Sequence, residues 1–321
     1  MRTLTWIAGA VLVLVAASLW ITQPLFFVKK TAGTSPAPDS ERLARRVKTL
    51  VQDYFPRDGG HPQNMARAAL WIAGEMRSAG AAVLEQPFDT SGDRYSNVVA
   101  SFGPPTRDVV VVGAHYDAAG EKPGADDNAS GVAALLELAD LLSGVPLSRR
   151  VELVAFALEE APYFATPGMG SEVYARSLDE THRSVRGMIC LEMVGCFTDE
   201  PGSQKLPFRV LHLFYPSKGD FIAVVGSLGR PGIVREVKRA MMAASDLPVY
   251  SIDAPRWVPG VALSDHSTFW GRGEPAVMIT DTAFYRNPRY HTEHDTPDTL
   301  DYERMAKVVA GARGAVLDLA R

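Results

Sequence analysis

Residues 108–142 read DVVVVGAHYDAAGEKPGADDNASGVAALLELADLL. Four consecutive valines lead to Gly113-Ala114-His115, a β-branched run without polar alternation, as expected of a strand buried on both faces. A loop follows. Residues 130–142 then carry apolar side chains at helical spacing behind Ser130, a good N-cap. Working outward, residues 95–102, 151–158, 186–193 and 275–280 repeat the strand pattern. Helical patterns are predicted near 40–54 and 63–79, and over 170–178, 220–228, 231–244 and 302–319. This alternation predicts an α/β domain with a largely parallel central sheet and helices on both faces. Such a sheet places its ligand crevice at the carboxyl ends of the strands.

Composition agrees with a packed domain. Of 321 residues 46% are hydrophobic and 22% charged, which excludes a disordered chain, a collagen, a coiled coil and a polytopic membrane protein. Two cysteines cannot staple a domain of this size. With 33 basic against 37 acidic residues there is no basic stripe for a phosphate backbone, so nucleic acid is excluded as a partner. Residues 4–21 carry no charge, follow Arg2 and precede Lys29 and Lys30. That run is about long enough to cross a bilayer once. Residues 1–30 are expected to be a transmembrane anchor or a cleaved signal, 31–39 a linker rich in small residues and Pro, and 40–321 the folded domain. Either case exports the domain, to the periplasm or the cell exterior. Export permits a Cys190–Cys196 disulfide, although Cys190 within an apolar strand favours a buried thiol. Nothing in the chain sets an oligomeric state.

Metal-type side chains gather at the predicted strand ends. His115-x-Asp117 ends one strand and suits a ligand oriented by a neighbouring carboxylate. Asp126-Asp127, between small residues, precedes a helix and offers an acid able to bridge two ions. Glu159-Glu160 follows another strand; adjacent carboxylates there repel each other unless cations neutralise them. Glu192 lies in an apolar strand, where an acid costs several kcal/mol unless it is paired or coordinated. His291 and His294 sit in YHTEHD (290–295), and spacing does not separate them. Ser264-Asp265-His266 suits a helix cap or a polar network. His61, His182 and His212 lack an acidic partner motif and are read as structural or surface residues. A mixed nitrogen and oxygen ligand set without thiolate suits Zn²⁺, with Mn²⁺ or Co²⁺ as substitutes. Two such ions can hold a hydroxide at neutral pH and polarise a carbonyl.

GAHYDA (113–118), PGADDNASG (123–131), ALEE (157–160), LEMVG (191–195), SDH (264–266) and YHTEHDTPDTLD (290–301) occur in an order that resembles the M28 family of zinc peptidases, over roughly residues 60–315. The resemblance implies a mixed sheet of the zinc exopeptidase type and two Zn²⁺. His115 and Glu192 would serve one ion, Glu160 and His291 the other, and Asp127 both. It also implies Glu159 as general base, Asp117 as orienter of His115, and Tyr290 as a donor to the developing oxyanion. The expected activity is removal of N-terminal residues from peptides or proteins. Two departures stand out. Glu192 replaces the family's usual Asp. The segment APYFATP (161–167) offers Tyr163 and Phe164 either to a substrate pocket or to a surface loop. Glutaminyl cyclase, which has the same fold and one zinc, and a non-catalytic binding ectodomain are the alternatives.

Overall fold

The computed structural model of the chain describes residues 18–31 and 36–321. Eight strands form one sheet in the order β1-β2-β4-β3-β5-β8-β6-β7. They are β1 (Ala82–Thr90), β2 (Asp93–Phe102), β3 (Asp108–His115), β4 (Arg150–Phe156), β5 (Ser184–Glu192), β6 (Ile222–Ser227), β7 (Val249–Ala254) and β8 (Ala276–Thr280). The central block β4-β3-β5-β8 is parallel, as is β6-β7. The pairs β1-β2, β2-β4 and β8-β6 are antiparallel, so the sheet is mixed. Seven α-helices lie wholly within the described residues: α1 (Ser40–Asp53), α2 (Pro62–Ser78), α3 (Gly131–Leu142), α4 (Gly170–Glu180), α5 (Pro231–Ala244), α6 (His266–Gly271) and α7 (Tyr302–Leu319).

The valine run of β3 shows why the strands are apolar throughout. Val110, Val112 and Ala114 pack into the core shared with α1, α2, α3, α5 and α7. Val109 and Val111 point to the other face, with Tyr174 of α4 and Phe269 of α6. Both faces are dry, so no polar position survives along the strand. The helical layer is also tied by charge. Glu137 of α3, fully buried, accepts from Arg42 Nε and Nη2 at 2.6 Å each and from Arg46 Nη1 at 3.0 Å, both on α1.

One predicted helix is a strand. Residues 220–228 hold β6, whose Ile222, Val224 and Val225 are β-branched and buried within the sheet. A short apolar run carries no period that separates helix from strand, and tertiary pairing decides it. Strands β1 and β7 were not foreseen. Strand β1 is only partly buried and carries Pro87, and β7 alternates too briefly to register.

Most of the uncharged run 4–21 lies outside the described residues. Among those described, no helix is long and apolar enough to cross a membrane. Residues 22–31 lie along the domain. Ser251 Oγ of β7 donates to Thr22 O at 2.9 Å, Gln23 Nε2 donates to Asp253 Oδ2 at 3.0 Å, and Lys30 Nζ donates to the carbonyls of Met242 and Ser245 at the end of α5. Asp253 is fully buried and its Oδ1 has no partner. Burial pushes its carboxyl up to about 6, against the opposing Gln23 hydrogen bond. A carboxyl raised in the folded state gives stability that is present below its unfolded pKa and is lost as pH rises through the folded one. Asp253→Asn should therefore be more stable than the parent at pH 8, by about 2 kcal/mol, with the gap closing towards pH 4. Denaturant titrations of both proteins at the two pH values test this, and a gap independent of pH would contradict it.

Candidate metal centre

Adjacent strands lie about 4.8 Å apart, so groups at the carboxyl ends of neighbouring parallel strands converge without long loops. His115 ends β3, Glu159 and Glu160 follow β4, Glu192 ends β5, and the chain returns after β8 to Tyr290-His291. The backbone is bent sharply at three of these points. Leu158 (φ 60°), Met193 (φ 48°) and His291 (φ 56°) all adopt the left-handed region. Each such residue costs of order 1–3 kcal/mol, and such strain clusters at functional sites.

The five side chains expected to hold metal form two triads with one shared member. His115, Asp127 and Glu192 offer ligand atoms within 4.8 Å of one another, and so do Asp127, Glu160 and His291. His115 Nε2 is 3.3 Å from Asp127 Oδ1 and 3.4 Å from Glu192 Oε2. His291 Nε2 is 3.0 Å from Asp127 Oδ2 and 3.2 Å from Glu160 Oε1. The two oxygens of Asp127 thus face opposite histidines. Glu159 joins neither triad, although its Oε2 is 3.9 Å from His115 Nε2. Asp126 turns away. Its oxygens accept from Gly195 N and Asn287 Nδ2, and it packs with Asp281 and Cys196. His294 is exposed beside Glu293, which separates it from His291.

The surroundings hold these groups rigidly. Asp117 does more than flank His115, whose Nδ1 stands 3.4 Å away. Its two oxygens accept from the backbone N–H of Glu159 and of Glu160, each at 3.0 Å, and so set the turn that presents both acids. Asn128, Asp295 and Arg57 were not picked out as supports by spacing, whereas Ser264 was, as part of a cap or polar network. Asn128 Nδ2 donates to Leu191 O at 2.9 Å, while its Oδ1 accepts from Met193 N. Ser264 Oγ donates to Glu192 Oε2 at 2.7 Å, anchoring the longer acid from the SDH turn. Asp295 accepts from the N–H groups of Asp126 and Asp127. Arg57, fully buried, binds the carbonyl of Tyr116 at 3.1 Å and those of Pro123 and Gly124, clamping the loop that carries Asp127. These contacts form only in the fold, and Arg57 lies outside every motif read from the sequence.

The electrostatics call for cations. Burial, reinforced by Glu192 and Glu160, pushes Glu159 well above the usual carboxylate range. Burial and Asp127 raise Glu160 to about 7. Burial opposes charge on His291, yet the carboxylates of Asp127 and Glu160 close to its Nε2 raise it to about 10. Glu160 Oε1 and His115 Nδ1 are buried without a hydrogen-bond partner, and buried polar atoms left so are costly. Two imidazoles and three carboxylates arranged this way fit divalent ions such as zinc. Cys190 and Cys196 are buried free thiols, so no disulfide joins them.

Beside the triads lies an apolar cavity of about 110 Å³, bordered by Glu192 and Tyr290 and walled by Phe221, Val225, Tyr250 and Met278. Tyr163 and Phe164 are not among its walls. Tyr163 instead packs against Tyr95, with ring centroids 6.2 Å apart.

The sequence model of peptidase family M28 matches residues 97–316. The chain belongs to this family. Among relatives of this M28 protein, YfbL of Escherichia coli is 46% identical over 279 residues, covering 84% of this chain and 85% of its own. Leucine aminopeptidase 1 of Coccidioides posadasii is 25% identical over 260 residues, 74% of this chain and 61% of its own. The zinc aminopeptidase BSAP of Bacillus subtilis superposes with a TM-score of 0.70 at 17% identity, covering 88% of this chain and 95% of its own. Glutaminyl cyclase of Fimbriiglobus ruber gives 0.67 at 23% identity, covering 92% and 100%. The two structural likenesses concern the fold alone.

Stripping with a chelator should lower the thermal midpoint by several degrees at pH 8, as the buried acids lose their counter-charge, and stoichiometric Zn²⁺ should restore it. Scanning calorimetry with and without the ion tests this. An unchanged midpoint would mean that the acids are neutralised by protons alone.

Proposed function

We propose that this M28 protein is a dizinc aminopeptidase acting on the free N-termini of peptides or proteins. The observation that carries this reading is the position of Asp127 in both triads, with its two oxygens turned to opposite histidines. His115 and Glu192 would hold one ion, Glu160 and His291 the other, and Asp127 both. Zinc bound there would supply Lewis acidity towards a carbonyl and make a nearby water acidic.

The chain's own groups account for the rest. Glu159, raised in pKa and outside both triads, is placed to take a proton from the attacking water and return it to the leaving amine. Tyr290 stacks on His291 with centroids 3.8 Å apart and borders the cavity. Burial, together with the charges of Asp127 and Glu160, pushes its hydroxyl far above the usual range, so it keeps its proton and can donate to a developing oxyanion. The apolar cavity would receive the side chain of the N-terminal residue, which favours apolar residues there. The uncharged run 4–21 supports an exported domain, held by an anchor or released after cleavage.

Glu159→Gln should retain two zinc ions per chain and lose at least about 100-fold in turnover of aminoacyl-arylamides, while N-acetylated substrates stay uncut by the parent enzyme. Metal analysis beside the kinetics tests both halves. Cyclisation of N-terminal Gln peptides by a protein holding one zinc would replace this reading with the cyclase.

A further inference from the structure

Two segments meet on the outer strand of the sheet. Thr22 O accepts from Ser251 Oγ of β7 at 2.9 Å and from Lys238 Nζ of α5 at 3.2 Å. From the opposite face, Tyr215 Oη donates to the carbonyl of the same Ser251 at 2.7 Å. Both segments carry large apolar side chains outward. Trp20 is 54% exposed, Phe26 80% and Phe27 100% in the first; Phe208 is 45%, Val210 59% and Leu213 78% in the second. The short 3-10 turn Arg209–Leu213 has no buried residue. Single exposed apolar residues need no explanation, but two segments that both bond Ser251 and both turn several large apolar side chains outward mark an interaction surface.

The charge pattern is one-sided. Residues 18–31 contain Lys29 and Lys30 and no acid. Residues 203–219 contain Lys205, Arg209 and Lys218 and no acid, in a chain whose net charge is −4. Aromatic and aliphatic side chains interleaved with basic ones suit the headgroup region of an anionic bilayer. The preceding chain points the same way. Residues 4–17 are uncharged and run directly into this patch at Ser18.

We propose that the surface formed by residues 19–27 and 208–214, astride β7, docks on an anionic lipid bilayer. The second segment also supplies Leu206, Pro207 and Leu211 to the wall of the apolar cavity. Docking would therefore set the cavity close to the headgroups, where the N-termini of lipid-attached or membrane-adjacent substrates are concentrated.

The test uses the full chain in vesicles of phosphatidylethanolamine and phosphatidylglycerol containing nitroxide-labelled lipid. Leu213→Cys carries an environment-sensitive fluorophore, and Leu70→Cys, 57% exposed on α2, is the reference. The native Cys190 and Cys196 are buried and do not compete for the label. The label at 213 should shift to the blue and lose about half its emission to the nitroxide, as for a side chain some 5–10 Å into the interface, while the label at 70 stays unquenched. Adding Val210→Glu should reverse most of that quenching without altering turnover of a soluble substrate. Equal quenching at both positions overturns the proposal, as does a chain that fails to float with the vesicles. A shift that follows protein density and ignores the nitroxide would assign the face to a second copy and also overturn it. The quenching and flotation readouts do not depend on peptidase activity.

Discussion

Five carboxyl groups and two imidazoles converge on one crevice, and the repulsion among the buried acids must be relieved by protons or by cations. Asp117, Asp127, Glu159, Glu160 and Glu192 are each at most 8% exposed. Repulsion among buried carboxylates lifts one or more of them towards neutrality unless cations intervene. The rest of the fold is arranged around this demand. A parallel block of four strands brings the groups to one level. The outer shell of Asp117, Asn128, Ser264 and Asp295 keeps them from relaxing apart. Such supporting contacts fix ligand orientation as much as the ligands do.

The shell also explains how a longer acid fits where family members usually carry Asp. Glu192 ends β5 just before Met193, whose left-handed backbone turns the chain away. Asn128 ties down the adjoining backbone, and the Ser264 hydroxyl meets the carboxylate. With the longer side chain held in this way, Glu192 Oε2 comes within 3.4 Å of His115 Nε2. The SDH segment thereby has a physical role beyond opening α6.

Much of this was legible in the sequence because it is local. The valine run of β3, the Glu159-Glu160 pair behind a buried strand and the loop 123–131 each carry their chemistry in a few consecutive residues. Their convergence followed from the strand-end rule for parallel sheets. What stayed hidden depends on distant partners. Nothing near Arg57 shows that its guanidinium will cap carbonyls at Tyr116, Pro123 and Gly124. Residues 220–228 looked helical because the five-residue apolar run 221–225 is too short to show a readable period. Tyr163 was a candidate pocket wall until tertiary packing placed it against Tyr95. Choosing between Asp126 and Asp127, or between His291 and His294, required the resemblance, since the alternatives are neighbours of the same chemical type.

The strap over β7 has a colloidal consequence. An open sheet ends in strands whose unpaired N–H and C=O groups can template the strands of another molecule. At one margin, β1 carries Pro87, Glu85 and Asp89, residues that discourage such growth. Strand β7, VYSIDA, has a single acid, and that one is buried. Its Ser251 carbonyl is occupied from outside by the Tyr215 hydroxyl, and the stretch of chain around Thr22 and Gln23 is bound to its Ser251 and Asp253 side chains. Resistance to edge-to-edge polymerisation at this margin is thus vested in residues remote from the strand in sequence.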